Sequence, residues 1–334
     1  MSEQNQLEVQ ATETAVKSAK RTSQIIRWAL FGCMLITVLT TLAIFGLLIN
    51  ESAHFFFNRS LVGIITAVFT GGEIIQRVSF VEFFTDTEWR PSHAVDPRFG
   101  LLPLAAGTLL VTFGAAMVSI PIGTLTALYV SEYASARTKA YLKPTLEILA
   151  GIPTIVYGFF AISFVTPVVI RPLADILGYE AGIVNAASAS IVVGIMTIPM
   201  VASISEDAMD AVPDSLRDGA YALGATKYQV STRIVLPASI SGIFASYILA
   251  ISRAIGETMA VTLAAGRNPQ ITLNFFDEIQ TITAYMVNAA RGTAVVGSVE
   301  YQSLFAAGLI LFLITLAMNT LNDYMKHRFR EVYK

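Results

Sequence analysis

Charge is scarce in this chain. Asp, Glu, Lys and Arg make up 14% of its 334 residues, where a soluble domain carries about 25%, and that shortage excludes an ordinary water-solvated surface. Nor is there an excess of basic residues: 22 Lys and Arg stand against 24 Asp and Glu, a net charge of −2, so the electrostatic footprint of a nucleic-acid binder is missing. A single cysteine, Cys33, excludes an intramolecular disulfide, and its place in an apolar run reads as a small hydrophobe. The three histidines, His54, His93 and His327, are far apart in sequence, so no two of them share a helical turn, and the usual spacing of a metal motif is missing. No internal repeat, low-complexity tract or separate soluble domain is evident.

Nucleotide-binding loops are missing as well. The stretch Gly219–Thr226 begins like a phosphate-binding loop but has Ala225 where the lysine must stand, and Gly292–Gly297 is followed by Ser298 and Val299. Neither can cradle a triphosphate in the usual way. The chain is therefore expected to be no enzyme and to hold no cofactor of its own. Asn58-Arg59-Ser60 matches a glycosylation acceptor by letter only, which is weak support.

What the chain has instead is apolar length. Hydrophobic residues make up 54% of it, and its mean hydropathy is +0.62, the composition of a membrane protein. A helix needs about 20 apolar residues to cross a hydrocarbon core of about 30 Å. Six stretches qualify: Trp28–Ile49, Leu104–Val130, Glu147–Val169, Gly182–Ile204, Ser239–Leu263 and Ser303–Leu321. Leu61–Thr70 is apolar but too short, and is expected to lie at the interface or re-enter. Pro121, Pro153 and Pro199 fall within the expected spans and can bend them. The pattern predicts an all-α integral membrane protein with six transmembrane helices.

Orientation follows from Lys and Arg, which favour cytoplasmic loops. With the N-terminus inside, 14 of the 22 fall inside, 7 outside, and Arg253 is left in the membrane; every Lys is inside. Both termini are then cytoplasmic. The expected organisation is a disordered cytoplasmic tail over 1–27, an uncleaved first span with a long periplasmic segment over 28–103, a transmembrane domain over 104–325 that contains a polar cytoplasmic loop at 205–238, and a basic tail over 326–334. The segment before Pro103 either covers the outer mouth, meets a soluble partner, or simply packs on its own helices.

Inside the membrane the strongest chemical signal is Arg253 with Glu257 in Ser-Arg-Ala-Ile-Gly-Glu-Thr. Ionisable residues in spans are costly and mark functional sites. Four-residue spacing in an unbroken helix places both on one face, about 6 Å apart along the axis. Small or polar residues, Ser239, Gly242, Ser246, Ala250, Ala260 and Ala264, continue that face. Such a stripe suits either close helix packing or the wall of a water-filled path. Arg suits an oxyanion because its planar donor fork binds phosphate or carboxylate bidentately and keeps its charge, and a neighbouring Glu would help release the ion.

The polar loop, Pro213–Pro237, reads as two short helical pieces. Its Arg217, Lys227 and Arg233 are balanced by Glu206, Asp207, Asp210, Asp214 and Asp218, so an anionic lipid surface would not attract it. A protein partner fits better, with Leu216, Ala220, Leu223 and Tyr228 as an apolar knob for a groove.

Several motifs agree in order along the chain. They are LPLAAGTLLVT, PIGTLTALYVSEYA, LKPTLEILAGIPTIVYGFF, EDAMDAVPDSLRDGAYALGAT and SRAIGETMAVTLAAG, together with Ile234, Leu236 and Pro237 closing the loop. From about Trp89 to Gly266 the chain resembles the PstC family of phosphate ABC importer permeases, with Asp-Gly-Ala at 218–220 where the family's coupling loop has Glu-Ala-Ala. The resemblance implies the type I ABC importer permease (MetI-like) fold and alternating access. It implies Arg253 and Glu257 as phosphate-translocation residues, and Asp218, Gly219, Ala220, Gly224, Ile234, Leu236 and Pro237 as the ATPase-coupling loop. It further implies a PstA-like second permease, a PstB-like ATPase dimer that binds ATP and Mg, a PstS-like phosphate-binding protein, and a place in the bacterial inner membrane among its lipids. Alternatives are a permease for another oxyanion, a self-sufficient secondary transporter with Glu257 as its ion site, and a sensor of phosphate status.

Overall fold

A computed structural model describes residues 2–328 apart from 58, 74, 94 and 293, with side chains between Ser23 and Met325. Asn58 of the glycosylation triplet, and residues 329–334 of the basic tail, lie outside the described residues.

The first element is one helix, α1 (Ser2–Phe57). The disordered tail expected before Trp28 is helical instead. Its Glu, Gln, Ala and Lys are good helix formers, and no Gly or Pro interrupts the chain before Gly32. Apolar side chains from Ile25 to Leu47 stay exposed, so α1 sits on the outside of the bundle, where lipid satisfies them.

The segment that follows is short elements tied by rings. Helix α2 (Leu61–Thr70) is capped by Ser60, which accepts from the Gly63 N–H, and ended by left-handed Gly71. At ten residues it is too short to cross. After α3 (Phe80–Thr85), strand β1 (Trp89–Arg90) pairs antiparallel with β2 (Arg98–Phe99). Phe55 meets Phe83 and Phe99 edge-on, and Trp89 meets Tyr285 in the same way at 4.8 Å. Offset and edge-on ring pairs add to area burial, so this segment packs on its own helices.

The bundle proper begins with α4 (Leu102–Leu128), prolonged by a π-helical turn to Tyr133. Helix α5 (Ala136–Gly151) follows, then α6 (Thr154–Phe160), which runs through π-helical Ala161–Ile170 into α7 (Arg171–Leu177). The third span thus starts at Thr154 rather than Glu147. Pro153 is its N-cap rather than a bend within it, because a proline drives the residue before it out of the helical region; Ile152 is extended, with ψ 129°. Pro121 and Pro199 do lie inside α4 and α8 (Ala186–Asp210).

Helix α8 is the centre of the fold, and α4 packs along its length. The two run in the same direction: Val118 lies beside Gly194, and Ser131 Oγ donates to Asp210 Oδ1 at 2.6 Å. A Cβ on Gly194 would stand 2.7 Å from the Val118 Cβ, so only glycine permits this approach. One end of the bundle therefore gathers Tyr133, α5 and Asp210, and the other gathers the β1–β2 hairpin and the start of α8.

After α8 come α9 (Asp214–Ala222), α10 (Lys227–Val230), a π-helical turn Ser231–Val235 and α11 (Leu236–Ala238). The fifth crossing is α12 (Ile240–Ile255) and α13 (Met259–Ala264), then α14 (Ile282–Arg291) and α15 (Val299–Arg328) complete the chain. Among the described residues, five helices are long and apolar enough to cross a membrane. A sixth span follows if Lys227–Ala238 and Ile240–Ile255, bent by 68°, are taken together. The fold is an all-α membrane bundle.

Candidate functional site

The fifth span is broken where its charges are. Helix α12 ends at Ile255, Gly256 is its C-cap, and α13 starts only at Met259. Sixteen residues rise about 24 Å, short of a hydrocarbon core of about 30 Å. Arg253 and Glu257 are therefore not neighbours on one continuous helix face, as the four-residue spacing predicts. A glycine directly before a buried acid leaves the backbone free to turn, and the acid then finds a better partner across the break. Glu257 Oε1 accepts the Ala260 N–H at 3.1 Å, capping the start of α13, where the partial positive charge of the helix favours a carboxylate. The Glu257 carbonyl accepts from Thr283 Oγ1 at 2.6 Å. The residue is 7% exposed.

Arg253 turns the other way. It lines a cavity of about 500 Å³ with Lys143, Glu147, Glu206, Asp207 and Pro199, between α5, α8 and α12. Its guanidinium makes no ion pair among the described residues. It is thus a fixed cation with free donors at the edge of a mixed-charge chamber, which suits transient capture of an oxyanion.

The stripe below Arg253 serves packing. Ser246 shares a hydrogen bond of 2.8 Å with Ser205 of α8, Ser239 and Ala250 are buried, and Gly242 abuts Ala208. Of the two uses open to small residues, close helix approach accounts for Ser239 to Ala250; beyond the break, Ala260 and Ala264 are buried in the core with Ala189 and Val261. Only Arg253 of this stripe opens onto the chamber.

At the same end of the bundle, α9 to α11 form a compact turn. Ala220 is buried with Met209, Val230, Val235 and Ile243, and Ile234 and Leu236 pack against that cluster. Ala220 therefore does not belong to the outward knob predicted for it. Asp218, Gly219 and Pro237 face out. The outward apolar groups are Leu216, Tyr221, Leu223 and Tyr228, with Leu223 90% exposed. Gly224 ends α9 at φ 81°, a left-handed conformation that favours glycine. Thr226 and Gln229 form a reciprocal capping box for α10.

Two ion pairs that fix this turn escape sequence reasoning, because their partners are far apart in the chain. The Arg217 Nη2 lies 3.2 Å from Glu132 Oε1 and donates to the Met209 carbonyl at 2.8 Å, tying α9 to the end of α4. Lys143 Nζ stands 2.9 Å from Glu206 Oε1, holding α5 on α8. The Lys143 pKa is raised above the lysine range by its hydrogen bond to Glu206, against the opposing effect of burial. Among the described residues no group of three His, Cys, Asp or Glu is arranged to hold a metal ion.

Residues 119–331 match the family described as the binding-protein-dependent transport system inner membrane component. The chain belongs to that family. It is similar to a probable ABC transporter permease, YqgH, of Bacillus subtilis, 32% identical over 76% of this chain and 80% of that protein. It is equally similar to the phosphate transport system permease protein PstC of Mesorhizobium japonicum, 32% identical over 80% of this chain and 85% of the relative. PstC of Haemophilus influenzae is 31% identical over 73% and 80%. Among solved structures, the fold is shared with a chain of the bacterial alginate ABC transporter in complex with its alginate pentasaccharide-bound periplasmic protein, at TM-score 0.58 and 15% identity over 90% of this chain and 94% of that one. The protein is a permease subunit of an ABC importer.

Proposed function

We propose that this permease translocates inorganic phosphate across the bacterial inner membrane by alternating access, driven by a separate ATPase dimer that binds ATP and Mg. The observation that carries the reading is Arg253, a guanidinium without an ion-pair partner among the described residues, which lines a chamber beside the broken fifth span. Several relatives similar over most of the chain are phosphate permeases by name, and an oxyanion is the cargo that such a cation fits. Glu257 caps the break and is the second translocation residue. The α9–α11 turn, through Asp218, Gly219 and Leu223, docks on a PstB-like ATPase, while Ala220, Gly224, Ile234, Leu236 and Pro237 hold its shape. A PstA-like permease completes the path, and a PstS-like binding protein delivers phosphate at the hairpin end. This places the α9–α11 turn and both termini in the cytoplasm, in keeping with the distribution of Lys.

Uptake of labelled phosphate into vesicles that hold the assembled complex tests this reading. ATP-dependent uptake that sulfate does not compete away is the expected result. Uptake that is driven by a proton gradient without ATP would establish a secondary transporter instead, and sulfate uptake at the same rate would establish a general oxyanion permease.

A further inference from the structure

At the hairpin end of the bundle, opposite the α9–α11 turn, lies a second cavity of about 470 Å³. Its walls include Trp89 and Arg90 of β1, Arg267, Gln280, and Asn288 of α14. We propose that this cavity is an oxyanion-binding site on the permease itself, distinct from the Arg253 chamber, in which the anion is held before the path opens. The identity of the anion as phosphate rests on the function proposed above; the existence of the site does not.

The basis is a surplus of donors without acceptors. The Trp89 indole Nε1–H and the Asn288 Nδ2 amide are both buried and have no hydrogen-bond partner. Gln280 is 6% exposed, and its side-chain amide makes no hydrogen bond among the described residues. Native structures rarely bury donors unmet, and where several meet in one cavity an acceptor is wanted. Two guanidiniums add positive charge. Arg267 is exposed and has no ion pair among the described residues, and Arg90 has only a loose contact with Glu88 at 3.7 Å. The opposing charges are Glu300, whose Oε1 accepts from Ser92 Oγ at 2.5 Å, and Glu278, whose Oε1 accepts the Arg267 backbone N–H at 2.7 Å. Tyr285 offers nothing further, since its hydroxyl is bonded to Ser303 at 2.7 Å. The aromatic cluster under Trp89 makes the wall rigid.

The chain beyond Gln280 also meets the broken span. Three residues beyond Gln280, Thr283 donates to the Glu257 carbonyl, and between them the Ile282 N–H donates to Thr108 Oγ1 of α4 at 3.0 Å. Gln280 is thus three residues in sequence from a side chain hydrogen-bonded to the gap between α12 and α13.

The chain has two tryptophans, and Trp28 faces out of the bundle on α1. In a Trp28→Phe background Trp89 is the sole indole fluorophore. The full chain in lipid nanodiscs is titrated with inorganic phosphate, then with sulfate, against chloride at matched ionic strength. A saturable change in Trp89 emission with phosphate but not chloride is expected, weakened at least about tenfold by isosteric Gln280→Glu, which replaces a donor by a like charge. Arg267→Gln, at an exposed position that folding tolerates, is expected to weaken it severalfold. A response to sulfate alone would keep the site and overturn phosphate as its ligand. No response to either anion, or a phosphate response unaffected by both variants, overturns the site while leaving uptake to decide the transport reading. A response that appears only on adding a binding protein would make the cavity a docking socket for that protein and likewise overturns the proposal.

Discussion

At the scale of single residues, the chain places charge where it must be held by something. Glu206 is almost fully buried and Lys143 half exposed, so the two ends of their bond are unequal. Lys143→Ala leaves a buried carboxylate without its partner and is expected to destabilise the protein by about 1–3 kcal/mol. Glu206→Gln removes the charge that needs one, and is expected to cost less than about 1 kcal/mol. Thermal melting in detergent checks the order; equal losses would contradict it. The sign with pH follows from the raised Lys143 pKa. A group with a raised folded pKa contributes fully below its unfolded value of about 10.4 and loses that contribution as pH climbs through the folded one. The difference between the wild type and Lys143→Ala should therefore stay constant from about pH 6 to 9 and shrink only above that range. Arg253 stands out in the sequence from its place in an apolar run alone. The partners of Glu257, Arg217 and Lys143 do not, since a hydrogen bond to Ala260 across a helix break, or an ion pair to Glu132 or Glu206, leaves no mark on local spacing.

Elements show where local rules were enough. Among the described residues, five of the six expected apolar stretches contain a helix long and apolar enough to cross a membrane, and the other, Ser239–Leu263, is divided after Ile255. Their boundaries moved where backbone chemistry overrode hydropathy. Gly151-Ile152-Pro153 cut the third span from α5, and Gly256 with Glu257 cut the fifth in two. The helical tail before Trp28 was missed for the opposite reason: polar composition suggested disorder, while helix propensity extended the span. The contact between α4 and α8 depends on a missing side chain. Gly194→Leu must displace Val118 and the α4 backbone, an overpacking cost of about 1–3 kcal/mol, and is expected to lower the melting temperature with a parallel loss of assembled complex. An unchanged melting temperature would mean that the two helices are free to separate. The α9–α11 turn carries a different expectation. Leu223 is almost fully exposed, so Leu223→Asp should leave the chain folded and membrane-inserted while reducing ATP-driven uptake at least about tenfold, the effect of losing a central apolar anchor. Full uptake in that variant would move the ATPase contact away from α9.

The whole molecule has two ends with different characters. One carries a polar turn locked by the Arg217–Glu132 and Lys143–Glu206 pairs; the other carries a hairpin over an aromatic cluster. Between them a central helix, α8, carries α4 and α12, and the broken fifth span places Arg253 on the chamber between α5, α8 and α12. That arrangement suits a subunit moved from one end and loaded from the other. The measurement that tests the account most directly is phosphate uptake by vesicles containing the assembled complex, with the intact chain and with Arg253→Gln, beside ATP hydrolysis by the same vesicles. Loss of uptake with assembly and hydrolysis retained is the predicted result, and places Arg253 in the phosphate path. Undiminished uptake in the variant would contradict the account, leaving the Arg253 chamber as a packing feature of the end that carries the α9–α11 turn.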